Sequence, residues 1–545
     1  MRARSPEARP SSRTLGATVF APTAAVLVIA VVIALGAGLL AGCSGGKKAG
    51  PGSGATGTTK GGSSGNGAGD GGAAGAGDGG AGDGGDGGPI KGYTGPQLTG
   101  ATNPLGAKWD WGRVDDYGPY LAKLSGGSTF FELVWCDVEP APGKRDYSRV
   151  DTVATSAQRL GFALFLKIRV GSCWVNGDRG GHARGNQRTK TSSAMPDDLA
   201  AYQAFVTDAV THFGSLGVHT WAIENEVNAE SFWVDSAEQY EQLVTVAAKT
   251  IRAAQPAAAV LDAGISSTGY GVGMAQRLLD GRPGLGGPDP DGAVAAWQDY
   301  YDRRGSRRRD FPPATDASAL RQSLTTDQAK RNQQFLDATF RLAGAHVIDR
   351  LQVHFYERYT SVPALMEYLR ASLPAGMPIE IWEAGQFWQD PPKGGQVQAE
   401  ELTKTVALFL AAKADRVIWL PLLGNSGGRN ASEIRYGLLD KDLTVRPAGT
   451  VFASLALADS GSATVTAPGS RSGAVVSGGD GGTVAVLWAD GSGRIAGAAP
   501  SGARVSDLGG KDIPWPGSGL ELGSSPVVVT VPASGAAAFL TQLTP

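Results

Sequence analysis

Two carboxylates in the 545-residue chain are placed as a catalytic pair would be. Glu226 closes the run Thr220-Trp-Ala-Ile-Glu-Asn-Glu-Val-Asn228, and Glu383 closes Pro378-Ile-Glu-Ile-Trp-Glu-Ala-Gly385. Each run reads as a short strand that finishes in an acid. Cleaving a glycosidic bond needs such a pair. One carboxylic acid protonates the leaving oxygen, and one carboxylate meets the positive charge growing on the sugar carbon. Glu224 and Glu380 lie just upstream and compete for these roles. Strand alternation puts Glu224 on the face of Glu226 and Glu380 opposite Glu383. Both fall short of the strand ends, so structural roles are expected of them.

Two acids so far apart in sequence can meet only if regular elements carry them there. Strand-like runs occur at Gly106–Trp109, Thr129–Trp135, Ala163–Val170, Val218–Ile223, Ala259–Ala263, Arg350–His354, Pro378–Trp382 and Arg416–Pro421. Helical periodicity fills the gaps, most clearly at Pro196–Phe213, Ser236–Ala254, Asp327–Ala343, Pro363–Ser372 and Gln396–Ala412. Strict alternation of strand and helix implies parallel strands with crossover helices. Eight units over residues 93–457 predict an α/β domain, a (β/α)8 TIM barrel. An open doubly wound sheet would show a glycine-rich phosphate turn after its first strand, and none is visible.

In a barrel, function gathers at the C-terminal ends of the strands. Trp135 and Glu139 follow strand two, and Cys173 and Trp174 follow strand three. Asn225 and Glu226 end strand four, His354 and Tyr356 strand six, and Glu383 strand seven, with Trp419 in strand eight. Trp135, Trp174, Trp233, Trp382, Trp388 and Trp419 all fall on or just after strand ends, where flat apolar sugar faces stack on such rings. Each tryptophan taken alone is more often packing than a ligand contact. Cys136 and Cys173, at the same end of neighbouring strands, are a possible disulfide.

In this order the motifs resemble those of the clan A glycoside hydrolases, the retaining barrel enzymes that include cellulases, β-xylosidases and iduronidases. The resemblance spans nearly all of Trp135 to Leu457. It rests on Trp135-Cys-Asp-Val-Glu-Pro-Ala-Pro-Gly-Lys-Arg-Asp-Tyr147, on Asn225-Glu226, on His354-Phe-Tyr356, on Pro378 to Gly385, and on Tyr436 to Ala448. It implies Glu226 as acid/base, Glu383 as nucleophile, Asn225 on the sugar 2-hydroxyl, and Tyr356 bonded to the nucleophile. His354, Trp135, Trp174, Trp388 and Trp419 would line the sugar pocket. Departures are Val227 where proline is common, and Phe130 where many relatives carry an arginine near the nucleophile. Glu132 is also unusual in a barrel strand, with Arg169 as its partner or as a substitute for that arginine.

The flanks speak of location. Arg2, Arg4, Arg9 and Arg13 precede an apolar run from Ala24 to Ala41 that ends Leu40-Ala41-Gly42-Cys43. This resembles a bacterial lipoprotein leader, residues 1–43, with Cys43 lipidated. An uncleaved anchor is the rival, since about 18 apolar residues just span a bilayer. Either places the body outside the cytoplasm, held to the cell envelope. Residues 44–92 are glycine-rich without a strict three-residue period. A flexible tether reaching on the order of 35–40 Å is expected.

Net charge is −2, which offers nucleic acid no attraction. Five histidines and three cysteines without metal-ligand spacing predict no metal site and no cofactor. A monomer that meets carbohydrate and, through its lipid, a membrane is expected. Residues 458–545 lose helical periodicity. β-Branched runs at Gly473–Ser477, Thr483–Trp488, Pro526–Val531 and Ala536–Leu543, with a turn at Asp480-Gly-Gly, predict a small antiparallel β-sandwich. Gly281 to Ser318, with Arg307-Arg-Arg309, is expected to be a long loop. The other readings are a carbohydrate-binding lipoprotein without turnover and a serine hydrolase. The latter is the weaker, because Gly264-Ile-Ser-Ser-Thr lacks the nucleophile-elbow spacing.

Overall fold

The computed structural model describes residues 103–181, 191–281, 287–302, 311–388, 395–424, 434–435, 437–456, 458–464, 471–478, 482–489 and 491–543. The leader, Cys43, the tether, Arg307-Arg-Arg309 and Asp480 lie outside them. Among the described residues no helix is long and apolar enough to cross a membrane.

All eight expected strands form. They are β1 (Leu105–Ala107), β2 (Ser128–Val134), β3 (Ala163–Arg169), β4 (Thr220–Ile223), β5 (Ala259–Leu261), β6 (Leu351–Phe355), β7 (Ile379–Ala384) and β8 (Arg416–Trp419). Parallel ladders join them into two four-stranded sheets, β2-β3-β4-β5 and β1-β8-β7-β6. Isolated parallel bridges, Leu261 to Arg350 and Ile265 to Val353, link β5 with β6. No ladder joins β1 to β2 among the described residues, so the pairing is two sheets and not the uninterrupted ring expected. At that border Lys108 Nζ donates to the Phe130 carbonyl at 2.5 Å. A Cβ on Gly106 would lie 2.0 Å from the Ser128 carbonyl oxygen, so only glycine permits this approach.

The crossover helices start where the sequence supplies caps. Asp198 accepts from the amides of Ala200 and Ala201 at the head of Leu199–Ser215, and Ser236 with Gln239 forms a capping box before Ala237–Ala254. Residues 281–318 are not one loop. Asp289 caps a helix, Pro290–Tyr301, with Pro290 in its first turn and Ala293, Trp297, Tyr300 and Tyr301 buried along one stripe. The Gly and Pro content hid that stripe from the sequence reading.

Between the two sheets lies a small apolar cluster that takes one residue from each of six strands: Phe130, Phe165, Ala222, Leu261, Trp382 and Ile418. The larger core lies between sheets and helices. Strand β7 breaks the alternation. Ile381 pairs with Val353, but His354 pairs with Glu383 and not with Trp382. The extra residue is a β-bulge. It brings Glu380, Trp382 and Glu383 to the inner side, so Glu380 does not point away from Glu383 as simple alternation predicts.

After Leu455 the chain becomes antiparallel. The order is Ala458–Thr464, Arg471–Gly478, Thr483–Ala489, Val527–Val531 and Arg504–Ser506, with a second ladder between Gly493–Ala496 and Gly519–Leu522. Alternation sorts Thr483–Ala489 between two cores. Val484, Val486 and Trp488 join the main body, and Ala485, Leu487 and Ala489 face Ile495, Leu520 and Val529. Lys404, on the helix Gly395–Ala411, lies 5.6 Å from the Trp488 ring, fixing the sheet to that helix. The run expected as a last strand, Ala536–Leu543, is instead part of a helix, Ala533–Leu543. Its three consecutive alanines favour that state.

Candidate active site

Glu226 and Glu383 meet. One ligand atom each of Glu226, His354 and Glu383 lie within 4.8 Å of one another, so the two carboxylates face each other across one small gap. Backbone strain delivers the first. The chain leaves β4 after Ile223, with φ of 69° at Glu224 and 43° at Glu226. Left-handed conformations of this kind cost about 1–3 kcal/mol each in non-glycine residues and persist where surroundings enforce them. Here the Glu224 amide donates to the Ile168 carbonyl at 2.8 Å, and the Glu226 amide to that of Ala263 at 3.3 Å. The bulge of β7 delivers the second.

The two acids have different surroundings. Glu383 is fully buried. Its Oε1 accepts from Lys167 Nζ at 2.8 Å and its Oε2 from the Tyr356 hydroxyl at 2.7 Å. Burial pushes this carboxyl up, but His354, Lys167 and the two hydrogen bonds outweigh it and hold it down, to about 2. Glu226 keeps slight exposure, 8%, and its Oε1 meets His354 Nδ1 at 3.0 Å.

The ring of His354 connects the pair. Its Nε2 lies 3.1 Å from Gln352 Oε1, 3.2 Å from Lys167 Nζ and 3.5 Å from Glu383 Oε1. Gln352 Nε2 donates to the Asp262 carbonyl at 2.7 Å, which turns Oε1 toward the ring. The ring thus bridges the two carboxylates, with Nδ1 toward Glu226 and Nε2 toward Gln352, Lys167 and Glu383. Gly264, at φ 67°, leaves room for the ring; a Cβ there would lie 2.5 Å from Nε2. His354 is wholly buried, so it ties the carboxylates together and does not line open space as expected.

Asn225 is buried, with Oδ1 accepting from Lys167 Nζ at 2.7 Å. Its Nδ2 has no partner among the described residues. A buried donor left unpaired costs about 1–3 kcal/mol, which a ligand oxygen would recover. Lys167 itself was not anticipated. A signal existed: in Ala163-Leu-Phe-Leu-Lys-Ile-Arg169 it shares the parity of Phe165, so it points inward. Arg169, offered as the substitute cation, is committed elsewhere. It donates to Glu132 at 2.9 Å and to the Thr191 carbonyl at 3.1 Å, and lies 3.5 Å from Glu224.

Glu224 and Glu380 are structural, as expected. Glu224 accepts from the Val170 amide at 2.7 Å. Glu380 accepts from Arg350 at 2.7 Å, Arg416 at 3.2 Å and Trp382 Nε1 at 2.7 Å. Glu139 binds Trp135 Nε1, the Gly143 amide and Arg145, which shapes its loop.

The tryptophans correct the sugar-platform expectation. Trp135 stacks on Phe205 at 5.0 Å, Trp419 packs near Phe452 at 6.3 Å, and Trp233 and Trp382 are also buried. These rings offer the most apolar area to remove from water, and the helix layer and the space between the sheets take them first. Trp388 lies in a two-residue strand, Phe387–Trp388, and its side chain is outside the described residues. Trp174 is the exception, at 39% exposure. Its Nε1 donates to the Glu139 carbonyl at 2.8 Å, and its ring meets Trp135 edge-on at 5.7 Å.

The neighbouring Cys173 is bonded to Cys136. That bridge spans 37 residues, so the serine double variant at Cys136 and Cys173 should lose about 3–4 kcal/mol of stability. Denaturant unfolding measures this, and the unfolded chain without reductant should show no reactive thiol at these positions.

Glu226, His354 and Glu383 have metal-ligand chemistry, but the Lys167 ammonium already neutralises Glu383, and a metal ion would sit against it.

No protein-family model matches the chain, and no curated protein matches it. Among solved structures, a family 39 glycoside hydrolase from the gut symbiont Bacteroides cellulosilyticus WH2 superposes with a TM-score of 0.54 at 16% identity, covering 80% of this chain and 82% of that one. A family 39 β-xylosidase from Caulobacter crescentus matches at 13% identity and TM-score 0.45, over 79% of this chain and 96% of that one. The chain shares its fold with that family 39 glycoside hydrolase.

Proposed function

We propose that the chain is a retaining glycoside hydrolase that cleaves O-glycosidic bonds in an extracytoplasmic oligo- or polysaccharide. The observation that carries this is the facing of two unlike carboxylates at the ends of β4 and β7, with ligand oxygens within 4.8 Å. Retaining enzymes place their carboxyl groups about 5–5.5 Å apart, and inverting enzymes leave room for a water between them. Glu383, ionised, attacks the anomeric carbon while Glu226 gives its proton to the leaving oxygen. A glycosyl-enzyme forms. Water then enters, gives its proton to Glu226, and releases the sugar with its configuration kept.

The two parallel sheets are taken as halves of one (β/α)8 barrel. The β5–β6 bridges, the Gly106 approach and the six-strand apolar cluster support closure. The C-terminal sheets, sharing one core, are taken as a sandwich. The Cys136–Cys173 bridge supports an oxidising compartment, in keeping with a lipid anchor at Cys43.

The test is a panel of glycosides and polysaccharides given to the full chain, with the first-formed anomer followed by proton NMR. Retention of configuration is expected. Net inversion would refute the mechanism, and binding without new reducing ends would leave a carbohydrate-binding protein.

A further inference from the structure

Building on the glycosidase reading, we propose that Trp382 and Glu380 are positioning residues for the nucleophile: the bond between the Trp382 indole and the Glu380 carboxylate locks the bulge in β7 and so fixes the direction of Glu383. In a regular strand Trp382 and Glu383 would point to opposite faces. Here both point inward. Against β6, Ile381 pairs with Val353 and Glu383 with His354, so Trp382 is passed over. Against β8, Ile381 pairs with Val417 and Ala384 with Trp419, so β7 again has one residue in excess. A bulge re-aims a side chain but disrupts the ladder locally. Other contacts must then hold it in place.

Those contacts converge on Trp382, which is fully buried. Its ring is stacked with Phe165 at 5.0 Å and with Phe130 at 6.1 Å. Stacking fixes the plane of a ring but lets it slide or turn within that plane. The polar edge removes this freedom. Trp382 Nε1 donates to Glu380 Oε2 at 2.7 Å, a charge-assisted bond. The acceptor is itself clamped, because Glu380 Oε1 accepts from Arg350 at 2.7 Å and from Arg416 at 3.2 Å. Arg350 directly precedes β6 and Arg416 opens β8, so the clamp reaches both neighbouring strands. Glu380 and Trp382 stand two apart on one face, the ordinary strand spacing. Their bond therefore keeps β7 regular up to Trp382, and the excess residue is taken up between Trp382 and Glu383. That turns Glu383 to Lys167 at 2.8 Å and to the Tyr356 hydroxyl at 2.7 Å.

The test uses the full chain as wild type, Trp382→Phe, Glu380→Gln and Ile418→Val, with kcat/KM for an aryl glycoside recorded against pH. Trp382→Phe keeps a ring for stacking and loses the N–H. A nucleophile displaced by about 1 Å should lower kcat/KM on the order of 10²-fold. Standing off from Lys167 and Tyr356, Glu383 should also take up its proton more readily, which moves the acid limb up by about one pH unit. Glu380→Gln offers one acceptor oxygen to Trp382, Arg350 and Arg416 together and should move the limb the same way. Ile418→Val thins the same apolar cluster without touching the bond and should keep the wild-type limb. A limb that stays in place in Trp382→Phe and Glu380→Gln, or that moves as far in Ile418→Val, would reduce the pair to packing and overturn the proposal. If Trp382→Phe does not fold, Glu380→Gln decides. If wild type hydrolyses no glycoside, the glycosidase reading fails by itself. Crystal structures of wild type and Glu380→Gln then decide the positioning role: a Glu383 carboxyl displaced from Lys167 and Tyr356 supports it, and an unmoved one overturns it.

Discussion

With Glu383 as the proposed nucleophile, Glu383→Ala should lower turnover of an aryl glycoside on the order of 10⁵-fold, since the glycosyl-enzyme loses the carboxylate on which it forms. Azide should then restore activity. It enters the space that the carboxylate leaves, attacks once, and yields a glycosyl azide of inverted configuration, readable from its proton coupling. The variant also strands Lys167, whose ammonium loses its charge partner in a buried site. Breaking a buried pair costs about 3–5 kcal/mol, so the fold must be checked alongside the rate. Glu383→Gln keeps an amide oxygen for Lys167 and should be equally inactive but more stable. A Glu383→Ala enzyme active without azide, or an azide product of retained configuration, would remove Glu383 from the nucleophile's place.

Glu226→Ala should show the complementary pattern. For a substrate with a poor leaving group, loss of the proton donor should cost about 10³–10⁴-fold in kcat/KM. For a dinitrophenyl glycoside, which leaves without help, kcat/KM should barely change. With that substrate kcat should fall, because water meets the glycosyl-enzyme without its base. KM should fall with it as the intermediate accumulates. Azide, which needs no base, should raise kcat and give a product of retained configuration. Equal losses on both leaving groups would mean that Glu226 is not the acid.

Much of this site was legible in the sequence, for a physical reason. Strands buried on both faces read as apolar runs, and all eight were found within a few residues of their observed bounds. Glu226, Glu383 and Tyr356 stood at ends of such runs, where a polar residue has no reason to lie in a dry core. Four things stayed hidden. The bulge in β7 has no residue-type signature in Ile379-Glu-Ile-Trp-Glu-Ala384, so the side of Glu380 was misjudged. The strand ends at Ile223 as read, but the positive φ values at Glu224 and Glu226 mean that strand parity does not relate the two acids beyond it. The tryptophans mislead because a ring at a strand end serves packing and stacking alike, and only depth separates the two. Lys167 stayed hidden behind Arg169, which lies two residues on in the same run with the same parity and charge.

The six-strand cluster below the carboxylates has an electrical meaning as well as a packing one. Phe130, Phe165, Trp382 and Ile418 form an insulating floor. Dissolved ions do not reach the buried Lys167–Glu383 contact, so its field is screened less than that of a surface pair. Surface pairs such as Arg113 with Asp116 are shielded by dissolved salt over a length of about 8–10 Å. The couple at the centre is out of its reach, and its polarity is written into the scaffold, not into the surrounding solution.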